Sequence, residues 1–135
     1  VFREGVPDAS QHREVGLMQL LSQAAPHTHI LKLLGVISDP CLCLVMEFCA
    51  GGTLRSWIPE EEFDQDQRLD AMLQVAAAMA HVHALGVVHR DLKSDNVLML
   101  RPRRPKEVPY TKLADFGLGK QLEPTAKKTS TQIIP

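Results

Sequence analysis

The chain has 135 residues, 44% of them hydrophobic, and a formal net charge of −1. That is enough for one modest core, well short of the roughly 250 residues a large single domain reaches. The charge balance argues against a nucleic-acid surface, which carries a clear basic excess, and Cys41, Cys43 and Cys49 have neither the number for a disulfide framework nor the paired spacing of a zinc site.

The cysteines therefore read as reduced, small apolar residues of an intracellular protein. The most apolar stretch, Val75 to Val88, is shorter than a bilayer span and carries His81 and His83, so no membrane segment is expected.

Gly5, Pro7 and Asp8 break a short extended start, and Ser10 is placed to cap a helix from Gln11 to about Ala25. Leu17, Leu20, Leu21 and Ala24 set its apolar stripe, widened by Val15 and Met18, and Pro26 ends it. Strands are predicted over Ile30–Val36 and Leu42–Phe48, separated by the turn residues Ser38-Asp39-Pro40. Gly51-Gly52 reads as a linker. A second helix is predicted from about Asp66 to Leu85, with Leu69, Met72, Leu73, Ala76, Ala80 and His83 on one face and Gly86 at its positive-φ terminus. Short strands follow at Val87-Val88, Val97–Leu100 and Tyr110–Ala114, and the chain from Leu118 onward is expected to be mobile. Arg101-Pro102-Arg103-Arg104-Pro105-Lys106 reads as a solvated hairpin tip, with an acidic partner as the alternative.

Two segments carry the chemistry. His89-Arg90-Asp91-Leu92-Lys93-Ser94-Asp95-Asn96 fits H-R-D-L-x-x-x-N, and Asp115-Phe116-Gly117 fits D-F-G downstream of it. With the element order, these motifs resemble the eukaryotic-type protein kinases over nearly the whole chain. The resemblance implies a bilobal α+β fold truncated at both ends: residues 1–49 as part of the small lobe, residues 50–135 as the first part of the large lobe. Leu34-Gly35-Val36 and Gly51-Gly52-Thr53-Leu54 are similar to the tyrosine-kinase-like Ser/Thr group.

The same resemblance implies roles. Asp91 would orient or accept the proton of a Ser/Thr hydroxyl on a protein substrate, and Lys93 would support the transferring phosphate. Asn96 and Asp115 would hold Mg²⁺ against the phosphates of ATP. Glu14, before Val15-x-x-Met18, matches the helix Glu that pairs with the small-lobe lysine. Arg90 matches the arginine that grips a phosphate on the activation segment, carried by Thr129, Ser130 or Thr131. Glu47 and Cys49 would meet the adenine edge through their main chain, with Met46 behind it, Leu98 beneath it and Thr53 near the ribose. Met18, Leu33, His89 and Phe116 would stack as an apolar spine.

Neither a G-x-G-x-x-G loop nor a V-A-I-K lysine occurs before the first helix. The chain by itself is therefore expected to transfer little phosphate and to be marginally stable, while its parent is expected to be an active Ser/Thr kinase. A non-catalytic regulatory or scaffold module is the alternative reading. A small-molecule kinase ranks third, because those usually carry H-G-D and lack D-F-G.

Overall fold

The computed structural model describes residues 9–117 and 119–122. Helix α1 (Ala9–Gln19) runs directly into a π-helical turn over Leu20–Ala24. Strands β1 (Leu33–Ile37) and β2 (Cys43–Met46) form an antiparallel hairpin. A one-turn helix α2 (Leu54–Trp57) and the long helix α3 (Gln65–Ala84) follow. Strands β3 (Val87–Val88), β4 (Val97–Met99), β5 (Thr111–Leu113) and β6 (Lys120–Gln121) complete the described chain. Antiparallel pairing joins β4 to β5 and β3 to β6. The mixture of helix and strand is that of a partial α+β domain.

Several expectations are corrected. Ser10 lies inside α1 rather than capping it, and the helix loses its α-helical hydrogen bonding after Gln19 instead of running to Ala25. The wider π turn faces Leu21 and Ser22 inward and leaves Ala24 exposed. Ser22 Oγ accepts a 2.8 Å hydrogen bond from Leu33 N, which satisfies the entry to β1. Lys120–Gln121, in the stretch expected to be mobile, pairs with β3 as β6.

The largest correction concerns α3. Asp64 caps it, accepting from Gln67 N, and Gly86 closes it at φ +70°, as its position predicted. Its inward face, however, is Gln67, Ala71, Ala78 and Val82, while Leu69, Met72 and Leu73 are exposed. Small side chains allow β3 and β5 to approach the helix closely. Two of its glutamines, Gln67 and Gln74, bind the incoming hairpin. Gln67 Nε2 donates to Arg104 O (3.0 Å) and Glu107 O (2.8 Å), and Gln74 Nε2 donates to Pro109 O at 2.7 Å. Gln74 Oε1 accepts from Thr111 N and Thr111 Oγ1. The basic hairpin tip is matched within the chain, Arg103 pairing with Glu62 at 2.6 Å and Arg104 with Glu107 at 3.7 Å.

One apolar cluster joins Leu17, Met18, Leu21, Ile30 and Leu33 to Ala78, Val82, Val87, Val97, Leu113 and Phe116. A smaller one holds Trp57, Phe63, Ala71 and Met99. Gly51 runs alongside β4, its N–H donating to Met99 O at 2.9 Å. A Cβ there would overlap Arg101 O and come within 2.8 Å of Met99 O. Gly51→Ala is therefore expected to cost about 1–3 kcal/mol, read as a lowered urea midpoint; an unchanged midpoint would contradict this packing.

The loop between α1 and β1 docks on α3 through histidines. His27 stacks on His81 with ring centroids 5.0 Å apart, and His81 Nε2 meets Ala25 O at 2.9 Å. His29 N donates to His27 Nδ1 (3.1 Å), a contact that needs the lone pair of that nitrogen. Burial, then His81, His29 and Lys112, hold the His27 pKa below its ordinary value. The unfolded chain thus binds this proton more readily, so stability is full above pH 6.5 and falls as pH drops toward the lowered folded value. The urea midpoint is expected to be lower at about pH 5.5 than at about pH 7.5. His27→Gln should reduce the difference, and an identical pH slope in the variant would exclude His27 as its source.

Candidate functional site

The H-R-D-L-x-x-x-N segment, residues 89–96, is tied to the D-F-G segment by main-chain and ring contacts. His89, 1% exposed, directs Nε2 to Ala114 O at 2.9 Å. Its Nδ1 accepts from Asp91 N at 3.2 Å. Ala114 N donates to Asn96 O (2.8 Å), which extends the β4–β5 pairing to the next residue. The Phe116 ring packs on His89 with centroids 4.7 Å apart. Met18, Leu33, His89 and Phe116, expected as a stacked spine, are all buried.

Asn96 is the organising side chain. Its Nδ2 donates both to Asp91 O (2.8 Å) and to Asp91 Oδ2 (3.0 Å). Both amide hydrogens are thereby used, and among the described residues no donor reaches Asn96 Oδ1. Lys93 Nζ lies 3.4 Å from Asp91 Oδ1, so each oxygen of that carboxylate has a partner of its own. Asp115 sits at φ +59° and Arg90 at φ +66°, left-handed conformations that non-glycine residues adopt mainly where the surroundings impose them. Asp115 Oδ1 accepts from Gly117 N at 3.3 Å, which orients the carboxylate.

A cleft of about 320 Å³ collects many of these groups. Glu14, Val15 and Met18 line it from α1, Leu42, Leu44 and Met46 from the first hairpin, and Asn96, Leu98, Asp115 and Phe116 from the motif segments. Asp91 and Lys93 adjoin the cleft through Asn96 rather than lining it. The Glu14 carboxylate is close to Gly117, 3.6 Å from where a Cβ would stand. Arg90 faces elsewhere, onto an open cavity of about 660 Å³ that Arg13 and Lys120 also line. Thr129, Ser130 and Thr131 lie outside the described residues.

Met46 leads from β2 into Glu47-Phe48-Cys49, and Thr53 pairs with Leu98 across the cleft floor. Glu47 N donates to Lys32 O at 3.0 Å. The Glu47 side chain is locked, with Oε1 accepting from Lys32 N and pairing with Lys112 Nζ, each at 2.9 Å. Among the described residues, Glu47 O and the N–H and carbonyl of Cys49 have no hydrogen-bond partner. Burial, and then the Glu47 carboxylate, push the Cys49 thiol pKa up. Lys112, buried on β5, is a residue the motifs did not reveal. Its alternation with Thr111 and Leu113, both buried, marks a strand with no solvent face, where a lysine needs a partner.

Hard oxygen donors suit Mg²⁺, which takes one or two protein ligands and completes its shell with phosphate and water. An amide oxygen and a carboxylate at one cleft fit that requirement. Among the described residues there is no group of three or more His, Cys, Asp or Glu able to hold a metal, and no helix is long and apolar enough to cross a membrane.

Calcium/calmodulin-dependent protein kinase type IV from Mus musculus is 36% identical over 126 residues, which is 91% of this chain and 25% of that protein. The Homo sapiens form is 35% identical over 125 residues. Mitogen-activated protein kinase kinase kinase 11 from Homo sapiens is 32% identical over 127 residues, 90% of this chain and 14% of that protein. The chain thus spans a quarter or less of the length of these relatives. The family description "Protein kinase domain" matches residues 3–134, and the chain belongs to the protein kinase family.

Proposed function

We propose that the chain is the middle part of a serine/threonine kinase domain, and that its parent transfers the γ-phosphoryl group of ATP to a protein hydroxyl. The observation that carries this is the pair of hydrogen bonds that Asn96 Nδ2 donates to Asp91 O and Oδ2, at a cleft that Asn96 and Asp115 both line. Lys93, Ser94 and Asp95 between Leu92 and Asn96 favour Ser/Thr specificity by resemblance. Residues 1–49 and 50–135 are read as the small-lobe and large-lobe parts.

Asn96 and Asp115 would hold Mg²⁺, which when bound supplies neutralising charge for the triphosphate. The Asp91 carboxylate accepts or orients the proton of the substrate hydroxyl, and its partners Lys93 and Asn96 keep it fixed for that task. Lys93 carries charge toward the transferring phosphoryl group. The unpartnered main-chain groups of Glu47 and Cys49 match the edge of adenine, with Met46 and Leu98 enclosing the ring. Arg90, with Arg13 and Lys120 beside it, would grip a phosphate on the segment that follows.

No glycine-rich loop or V-A-I-K lysine occurs in these 135 residues. The chain alone therefore binds nucleotide weakly and transfers little phosphate. Titration with Mg-ATP should give binding that weakens about tenfold, or about 1.4 kcal/mol, in Asp115→Asn. Asp91→Ala should leave it within about twofold, since that carboxylate serves the hydroxyl rather than the nucleotide. A folded chain with no nucleotide binding would favour the non-catalytic module. Robust Mg-ATP-dependent transfer by this chain, abolished in Asp91→Ala, would overturn its inactivity.

A further inference from the structure

Cys41 and Cys43 stand at the entry to β2, and no step proposed above uses them. Their sulfurs are 3.5 Å apart in a hydrogen bond that either can donate. Both are half-buried thiols, within reach of a small reagent. Leu42 lies between them and lines the cleft, whereas neither cysteine does. The thiol pair and the cleft are thus two sides of the same three residues.

We propose that Cys41 and Cys43 form a dithiol–disulfide site that reacts with low-molecular-weight disulfides of the glutathione type, and that closing it re-aims Leu42 in the cleft. The Cys41 thiolate attacks one sulfur of the reagent and displaces one thiolate, leaving a mixed disulfide on Cys41. The Cys43 thiolate then attacks the Cys41 sulfur and displaces the second. Two electrons pass from the protein sulfurs to the reagent, and the two cysteine protons end on the two released thiols. The hydrogen bond to Cys41 raises the Cys43 pKa, so Cys43 keeps its proton longer and acts second.

The coupling to Leu42 follows from lengths. The sulfurs must close from 3.5 Å to about 2.0 Å. Cys43 is fixed in β2 while Cys41 sits in a bend outside the strand, so the difference is taken up at the Cys41 end. Closure therefore displaces the backbone at Leu42 and turns its side chain. Cys49 has no such neighbour, and its thiol is held protonated by burial and Glu47. It is the internal reference.

No Lys or Arg lies between Lys32 and Arg55, so one tryptic peptide carries all three cysteines; Cys49→Ser removes the ambiguity. The folded Cys49→Ser chain is incubated with oxidised glutathione, quenched with acid and alkylated. The expected product has lost two hydrogens and both alkylatable thiols, carries no glutathionyl group and is restored by dithiothreitol. In Cys43→Ser the reaction should stop at one glutathionyl group on Cys41. The Leu42 methyl resonances should move on oxidation while those of Leu113 stay. Two retained thiols, two accumulated glutathionyl groups or a disulfide-linked dimer would overturn the site. Unmoved Leu42 methyls would overturn its coupling to the cleft. Neither readout requires nucleotide binding, so this test is separate from that of the proposed function.

Discussion

Phe116→Ala is expected to destabilise the chain by about 3–5 kcal/mol, the range for truncating a buried phenylalanine. The ring is 1% exposed, tilts against His89 and packs in the main cluster with Met18, Leu33 and Leu113. Its loss removes the apolar transfer energy and leaves a cavity that helix and strands on three sides cannot close. Stability of small domains is about 5–15 kcal/mol, so this single change consumes a large share of it. Phe116→Leu keeps most of the volume and should cost less than about 1.5 kcal/mol. Urea denaturation of both variants checks the pair. A Phe116→Ala loss below that of Phe116→Leu would mean that the ring does not occupy the core.

Lys112→Met should cost about 2–3 kcal/mol. The Lys112 side chain is 10% exposed and the Glu47 side chain 22%, with Nζ and Oε1 2.9 Å apart. Breaking a fully buried pair by removing one partner costs about 3–5 kcal/mol, chiefly because the other charge is left stranded; the partial exposure of Glu47 brings this down. Methionine keeps the bulk of the stem, which isolates the charge from packing. Glu47→Gln combined with Lys112→Met should recover part of the loss, since no orphan carboxylate remains. The double-mutant cycle in urea reads this coupling, and additive losses would show that the pair does not interact. Because Glu47 directly follows Met46, which lines the cleft, the cycle also reports on what holds that segment in place.

The motif residues were legible because both segments restrict residue type at a set spacing. Asn96 uses both amide hydrogens on Asp91, which a hydrocarbon side chain cannot do, and D-F-G places a buried ring beside an exposed acid. The strand and helix positions followed where apolar periodicity was the governing force, as in Val97–Met99 and the span of α3. Legibility failed where polar side chains turn inward. Gln67 and Gln74 bind main chain, Ser22 satisfies Leu33 N, and Lys112 pairs with Glu47. A pattern that counts only apolar residues assigns these to solvent, and so selected the Leu69–Met72–Leu73 face of α3, which is exposed. The short strand β6 is polar in both residues and owes its place to pairing with Val87–Val88. The widening of α1 into a π turn leaves no mark in composition at all.

The apolar cluster that takes Met18 and Leu33 from one side of Gly51-Gly52 and Ala78, Val82 and Phe116 from the other has a thermodynamic corollary. The stretch before the pair retains no interior once the other departs, and the stretch after it keeps only an opened half of this cluster beside the smaller one of Trp57, Phe63, Ala71 and Met99, so severing the chain at that glycine pair would not yield two autonomous folding units. Melting should be a single cooperative event, in which the helix that bears Glu14 and the loop that bears Asp91 are lost together.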